Sequence, residues 1–119
     1  MTFEKYTRNV KHLKWLDKPW INIDVARGKM KISKRNCTLD TMATFLSCWD
    51  LPTRINFYYD ASEKRIKLIE EMDGELTISP NSNSSSFNSQ GIIAKFGEDI
   101  IGEYSVETFK GVYLIANRI

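Results

Sequence analysis

Apolar and polar positions alternate along much of this chain. Ile21, Ile23 and Val25 alternate with Asn22 and Asp24, and after an Arg27-Gly28 turn Met30 and Ile32 alternate with Lys29, Lys31 and Ser33. A period of two marks a strand with one buried face. Ile55, Phe57 and Tyr59 repeat the pattern, as do Ile66 and Leu68 beyond the polar tip at 60–64, and the pair reads as a hairpin. Leu76 and Ile78 open another short strand, Tyr104 and Val106 a further one, and Val112 to Ile115 a nearly continuous apolar one after a Lys110-Gly111 turn. Two stretches carry helical spacing instead. Leu39, Met42, Ala43, Phe45 and Leu46 form an apolar stripe expected to face the core, with Thr38 as its cap and Pro52 as its stop. Ile92, Ile93 and Phe96 form a second short helix, capped by Ser89 and ended by Gly97. A loose helical spacing from Tyr6 to Trp15 is stopped by Pro19, and the Pro80 to Ser86 run, with nothing apolar to bury, reads as a mobile loop.

These elements predict an α+β fold. It is a β-rich single domain over 20–119, built as a partly closed sheet or small barrel with two short helices, behind a basic N-terminal arm over 1–19. A loose internal repeat runs through it. Residues 32–68 read strand, helix, strand, turn, strand, and residues 86–115 read helix, strand, turn, strand in the same order. Two such units closing on each other would remove exposed sheet edges. A length of 119 residues, 42% of them hydrophobic and 27% charged, suits one ordinary globular domain with a modest core.

Charge changes the picture. Ten of the 17 Lys and Arg residues fall in the first 35 positions, against Glu4, Asp17 and Asp24 alone, while the remainder carries seven basic and twelve acidic residues. The small net charge of +2 therefore hides a chain with opposite signs at its two ends. Phe3, Tyr6, Trp15 and Trp20 are interleaved with these cations. Cations and flat rings together suit a polyanion with stackable bases, which is to say nucleic acid. The competing reading is a solvated basic arm with its tryptophans in the core.

The segment Gly28-Lys29-Met30-Lys31-Ile32-Ser33-Lys34 resembles the opening of the AbrB/MazE-type swapped-hairpin DNA-binding module. Residues 52–60, Pro-Thr-Arg-Ile-Asn-Phe-Tyr-Tyr-Asp, resemble its next strand, and Arg65-Ile66-Lys67-Leu68 its closing strand. The resemblance covers residues 28–68. It implies DNA contacts from the first hairpin, carried here by Lys29, Lys31, Lys34 and Arg54, and a homodimer. The arrangement of the whole chain is also similar to small proteins encoded by bacteriophages and prophages. Tyr58 falls between the alternating Phe57 and Tyr59 and is expected on the opposite sheet face, open either to a base or simply to solvent. The candidate nucleic-acid contacts are thus Lys11, Lys14, Trp15, Trp20, Arg27, Lys29, Lys31, Lys34, Arg35, Arg54 and Tyr58.

Other chemistry finds little footing. The single histidine, His12, lies among cations that disfavour its protonated form, and without it no Ser-His-Asp or Cys-His set can be assembled. Cys37 and Cys48 flank the first helix too far apart for a bridge and read as small buried hydrophobes. Glu70, Glu71, Asp73 and Glu75 lack the spacing of a calcium loop and read as a solvated turn. No catalytic residue, metal or cofactor is therefore expected. No apolar run is long enough to span a bilayer, and the first residues lack a secretory h-region, so a cytoplasmic location is expected. Two functions remain. One is a non-enzymatic nucleic-acid-binding protein, either a single-strand-binding accessory or a duplex-binding regulator. The other is a protein–protein inhibitor or adaptor acting on a host enzyme through its acidic part.

Overall fold

In the computed structural model, which describes residues 2–6, 14–16, 28–109 and 113–119, the alternating segments form ten strands. In chain order these elements are β1 (Thr2–Lys5), β2 (Lys14–Leu16), β3 (Gly28–Ile32), β4 (Asn36–Leu39), α1 (Thr41–Ser47), β5 (Thr53–Asp60), β6 (Arg65–Glu70), β7 (Leu76–Asn81), β8 (Ser84–Asn88), α2 (Gln90–Phe96), β9 (Gly102–Phe109) and β10 (Tyr113–Arg118). A single 3₁₀ turn, Glu98–Ile100, precedes β9. The expected strand over 21–25 and the 110–111 turn lie outside the described residues.

Eight strands close on themselves in the order β5-β6-β10-β9-β3-β4-β8-β7, the ring being completed by β7 against β5. Every pairing is antiparallel. The expectation of a small barrel with two short helices is met, and the internal repeat is visible in the topology. Residues 28–70 and 76–118 each run strand, strand, helix, strand, strand. Each strand of one unit pairs with a strand of the other, as β3–β9, β4–β8, β5–β7 and β6–β10. Exchanging the two units leaves the ring order unchanged, so the barrel has a pseudo-two-fold arrangement of its strands.

Eight strands enclose a space just wide enough to be filled by side chains. Met30, Ile32, Leu39, Ile55, Phe57, Ile66, Leu68, Ile78, Tyr104 and Leu114 fill it, each essentially inaccessible to solvent. A barrel packed in this way presents its outer wall, not its lumen, to any partner. Phe96 of α2 packs against Tyr6, Phe57 and Tyr59, with ring centroids 6.4, 6.1 and 5.3 Å apart. Lys67 is buried on the outer side of β6, its ammonium 4.3 Å from the centre of the Tyr113 ring.

Several local expectations are corrected. Residues 2–5 of the expected basic arm form a strand of the sheet. β1 pairs with β5, and Phe3 is fully buried in a second cluster with Tyr58 and Ile115. Of the loose helical spacing from Tyr6 to Trp15, Tyr6 follows β1 outside any helix, and Trp15 lies in Lys14–Leu16, a strand paired with β1. Thr38 lies within β4, and the N-cap of α1 is Asp40, whose carboxylate accepts the Ala43 amide at 2.8 Å. The helix ends at Ser47, with Cys48 in the left-handed conformation (φ 57°), before Pro52 is reached. Residues 80–86 are no loop: they complete the β7–β8 hairpin, with Ser85 buried and sharing a hydrogen bond with Thr44 at 2.9 Å. Cys37 is buried as expected, but Cys48 is exposed.

Candidate functional site

The outer wall formed by β3, β4, β8 and β7 is the most unusual surface of the barrel. Residues 28–39 and 76–88, which make these four neighbouring strands and their two turns, contain no Asp or Glu. They contain Lys29, Lys31, Lys34 and Arg35, all exposed. Lys29 and Lys31 alternate with the buried Gly28, Met30 and Ile32, so the strand pleat turns both side chains outward from backbone positions about 7 Å apart along β3. Lys34 and Arg35 form the tip of the β3–β4 turn.

Register extends the wall with neutral polar groups. Lys31 stands opposite Thr38, Thr38 opposite Ser86, and Ser86 opposite Ser79. Asn36 stands opposite Asn88 in the next row. Hydroxyl and amide groups at these positions can donate to phosphate oxygens without adding charge. The wall ends at β9, where Glu103 stands opposite Lys31 and Ser105 opposite Lys29. Among the described residues none of the four cations takes part in an ion pair or side-chain hydrogen bond, so each is available to an external anion.

The basic tip is held in place by the second unit. Ser89, fully buried at the start of α2, donates its hydroxyl to the Ser33 carbonyl at 2.7 Å and its amide to the Arg35 carbonyl at 3.0 Å. Within the turn the Ser33 amide and hydroxyl both donate to the Asn36 carbonyl, at 2.9 and 3.0 Å. These bonds fix the backbone from which Lys34 and Arg35 project.

The remaining sequence candidates do not join this group. Arg54 and Tyr58 are on β5, four strands from β3 in either direction round the ring of eight, although β5 borders the wall at β7. Arg54 is exposed there beside Thr77. Tyr58 is 5% exposed, held beneath Phe3 and Ile115 with its hydroxyl donating to Glu71 at 3.3 Å. A ring so covered has no face to offer a base. Burial first, then the Glu71 and Asp73 carboxylates, push its hydroxyl up to about 12. Lys14 and Trp15 lie on β2, and Lys11, Trp20 and Arg27 lie outside the described residues, as does His12.

Sequence reasoning missed one surface. The apolar stripe of α1 does not face the core as a whole. The helix buries Ala43 and Ser47, half-buries Leu46, and leaves Met42 42% and Phe45 76% exposed. With Asp40, Thr41 and Leu46 these two side chains line an open cavity of about 740 Å³. The signal was the pair of small residues at i and i+4, Ala43 and Ser47, which mark the face of close approach; Gly28 packs directly on Ala43. Among the described residues no three His, Cys, Asp or Glu side chains converge as a metal site, and no helix is long and apolar enough to cross a membrane.

Compared with known protein families, with curated proteins and with solved structures, the chain matches none.

Proposed function

We propose that this protein binds nucleic acid without catalysing a reaction on it, through the outer wall of β3, β4, β8 and β7. The observation that carries the reading is half a barrel whose strands are free of carboxylates, with four exposed cations on one hairpin that make no ion pair among the described residues. Cations set among hydroxyls and amides attract a phosphate backbone and release its counterions. The segment that resembles the swapped-hairpin DNA-binding module falls within the first unit, 28–70, and the resemblance points to the same hairpin.

The wall favours duplex over single strands. Its only aromatic residue is Phe87, which faces the barrel interior and is 3% exposed, so the wall offers no ring on which an unpaired base could stack. A duplex carries one phosphate per about 1.7 Å of axis and meets the four cations more densely than a single strand does. The protein then acts as a duplex-binding regulator rather than a strand-binding accessory.

Titration of a fluorescent DNA duplex across a salt series tests this. Four phosphate contacts give a log K against log salt slope of about −3.6, or about a hundredfold loss of affinity between 50 and 200 mM salt. The Lys29→Ala/Lys31→Ala variant should flatten the slope by about 2 while leaving the exposed strand positions folded. A slope near zero, or no binding at low salt, would exclude the reading.

The exposed Met42 and Phe45 favour a second reading, that of a protein-binding adaptor. A pull-down that retains one protein, is insensitive to nuclease and is lost in the Phe45→Ser variant would support it.

A further inference from the structure

The pseudo-two-fold gives the basic hairpin an internal control. Lys29, Lys31, Lys34 and Arg35 of the β3–β4 hairpin correspond to Thr77, Ser79, Ser82 and Asn83 of β7–β8, each 48 positions further on. The correspondence follows the pairing: Lys31 faces Thr38 as Ser79 faces Ser86. In both hairpins a serine hydroxyl bonds a backbone carbonyl across the turn, Ser33 to Asn36 and Ser84 to Asn81. Each hairpin is also tied to a helix, the first by Ser89 and the second by Thr44 on Ser85. Strand pairing and the cross-turn serine bond are thus repeated and the charge is not, while the tips themselves differ, Ser82 being left-handed (φ 58°) where Lys34 is not. One hairpin closes with hydroxyl and amide side chains at all four places, so the fold does not require cations there. Four like charges within seven residues also repel one another in the free protein.

The two tips lie at opposite ends of the barrel. The β3–β4 turn adjoins Asn88 and the start of α2, whereas the β7–β8 turn lies toward Leu39 and the start of α1, because β4 and β8 run antiparallel. We infer that the barrel is a one-ended binder: the β3–β4 tip grips a single nucleic-acid duplex, and the matching tip at 82–83 is a vacated copy of the same contact. This rests on the proposed function and deepens it. The strand arrangement has a two-fold, but the binding surface does not, so one chain takes one duplex and reads no dyad by itself.

Sedimentation and calorimetric titration with a short mixed-sequence DNA duplex test the inference, on the whole chain. Wild type should bind one duplex per chain. Lys34→Ser/Arg35→Asn, which copies the neutral turn into the first unit, should weaken binding at least about 10-fold and reduce the salt slope by about 2. Ser82→Lys/Asn83→Arg in the wild-type background should add a second duplex site. All four positions are exposed, and the left-handed conformation of Ser82 (φ 58°) is one that Lys64 also adopts (φ 53°), so these variants fold. The four-fold swap should move binding to the other end and restore it. Two duplexes per wild-type chain, full affinity after the Lys34/Arg35 change, or no new site from the Ser82/Asn83 change would each overturn the one-ended reading while nucleic-acid binding stood. Failure of wild type to bind duplex or single strands at low salt would instead remove the proposed function, and this inference with it.

Discussion

At the scale of single residues, two tyrosines and one glycine show where this fold is least tolerant. Tyr104 is fully buried, with its hydroxyl donating to the Ile100 carbonyl at 2.6 Å. The Arg118 guanidinium beside it favours the phenolate, yet burial outweighs that charge and pushes the hydroxyl up to about 12, as for Tyr58. An unfolded tyrosine titrates near 10. Below pH 10 both states keep their protons and stability is undiminished. Between pH 10 and 12 the unfolded chain ionises and the native one does not, so stability falls. Each tyrosine accounts for about 1 kcal/mol of loss at pH 11, and urea unfolding at pH 9 and 11 should show a smaller drop in Tyr58→Phe than in wild type. An equal drop would mean that Tyr58 is solvated. Gly28 is intolerant for steric reasons. A Cβ there would lie 2.3–2.6 Å from the N, Cα and Cβ of Ala43, and a helix backbone cannot step aside. Gly28→Ala should destabilise by about 1–3 kcal/mol, with a lowered Tm on thermal unfolding, although the same residue is exposed to no solvent and bears no charge. The sequence marked Gly28 only as a turn residue; that it is the point of closest approach between β3 and α1 depends on tertiary packing.

At the scale of elements, alternation proved a better guide than composition. The burial of Met30 and Ile32 with Lys29 and Lys31 outward follows the sequence pattern residue for residue, and so does the hairpin of β5 and β6. The basic part of the candidate site was therefore legible, because it lies on an amphipathic strand. Two elements were misread for one shared reason: their neighbours, not their own residues, decide them. Leu39 continues the strand pattern to the end of β4 because Cys37 and Leu39 are both drawn fully into the core, which moves the helix cap from Thr38 to Asp40. The Ser- and Asn-rich run becomes strand because β7 is held between β5 and β8, and β8 pairs in turn with β4; sheet context overrides weak strand propensity. The two helices also show that the residue at the N-cap position can do different work. Asp40 caps its own helix, whereas Ser89 gives its hydroxyl to Ser33, and Asn88 accepts the Gln90 amide at 2.8 Å instead. Asp40→Ala should therefore destabilise the protein by about 1 kcal/mol in chemical denaturation, with Asp40→Asn close to wild type. Equal losses from both would show that the charge, not the capping bond, is what matters at this position.

At the scale of the molecule, the barrel separates a pseudo-symmetric backbone from an asymmetric charge distribution. The carboxylates on its strands, Asp60, Glu70, Glu103 and Glu107, are confined to β5, β6 and β9, and the acidic turn at 71–75 joins the two units on the wall away from β3. The helix, strand, turn, strand part of the repeat was legible in the sequence, but the second strand of each opening hairpin was not, β4 being read into the helix and β8 into a loop. The exchange of pairing between the units was not legible either, because alternation reports which face of a strand is buried and never which strand lies beside it. That exchange has a physical consequence. Outside the hairpins β3–β4, β5–β6, β7–β8 and β9–β10, every ring contact joins one unit to the other. A single unit would expose unpaired edges and half a core, and at roughly 45 residues it is near the lower limit for folding alone. Cutting the chain after Met72, which is 98% exposed in the connecting turn, should therefore give fragments 1–72 and 73–119 that are each unfolded by far-UV circular dichroism and NMR dispersion. Mixed in equal amounts they should recover the barrel and a cooperative melting transition. A cooperative transition in either fragment by itself would show that the units are self-sufficient and that the closed ring is not the unit of folding.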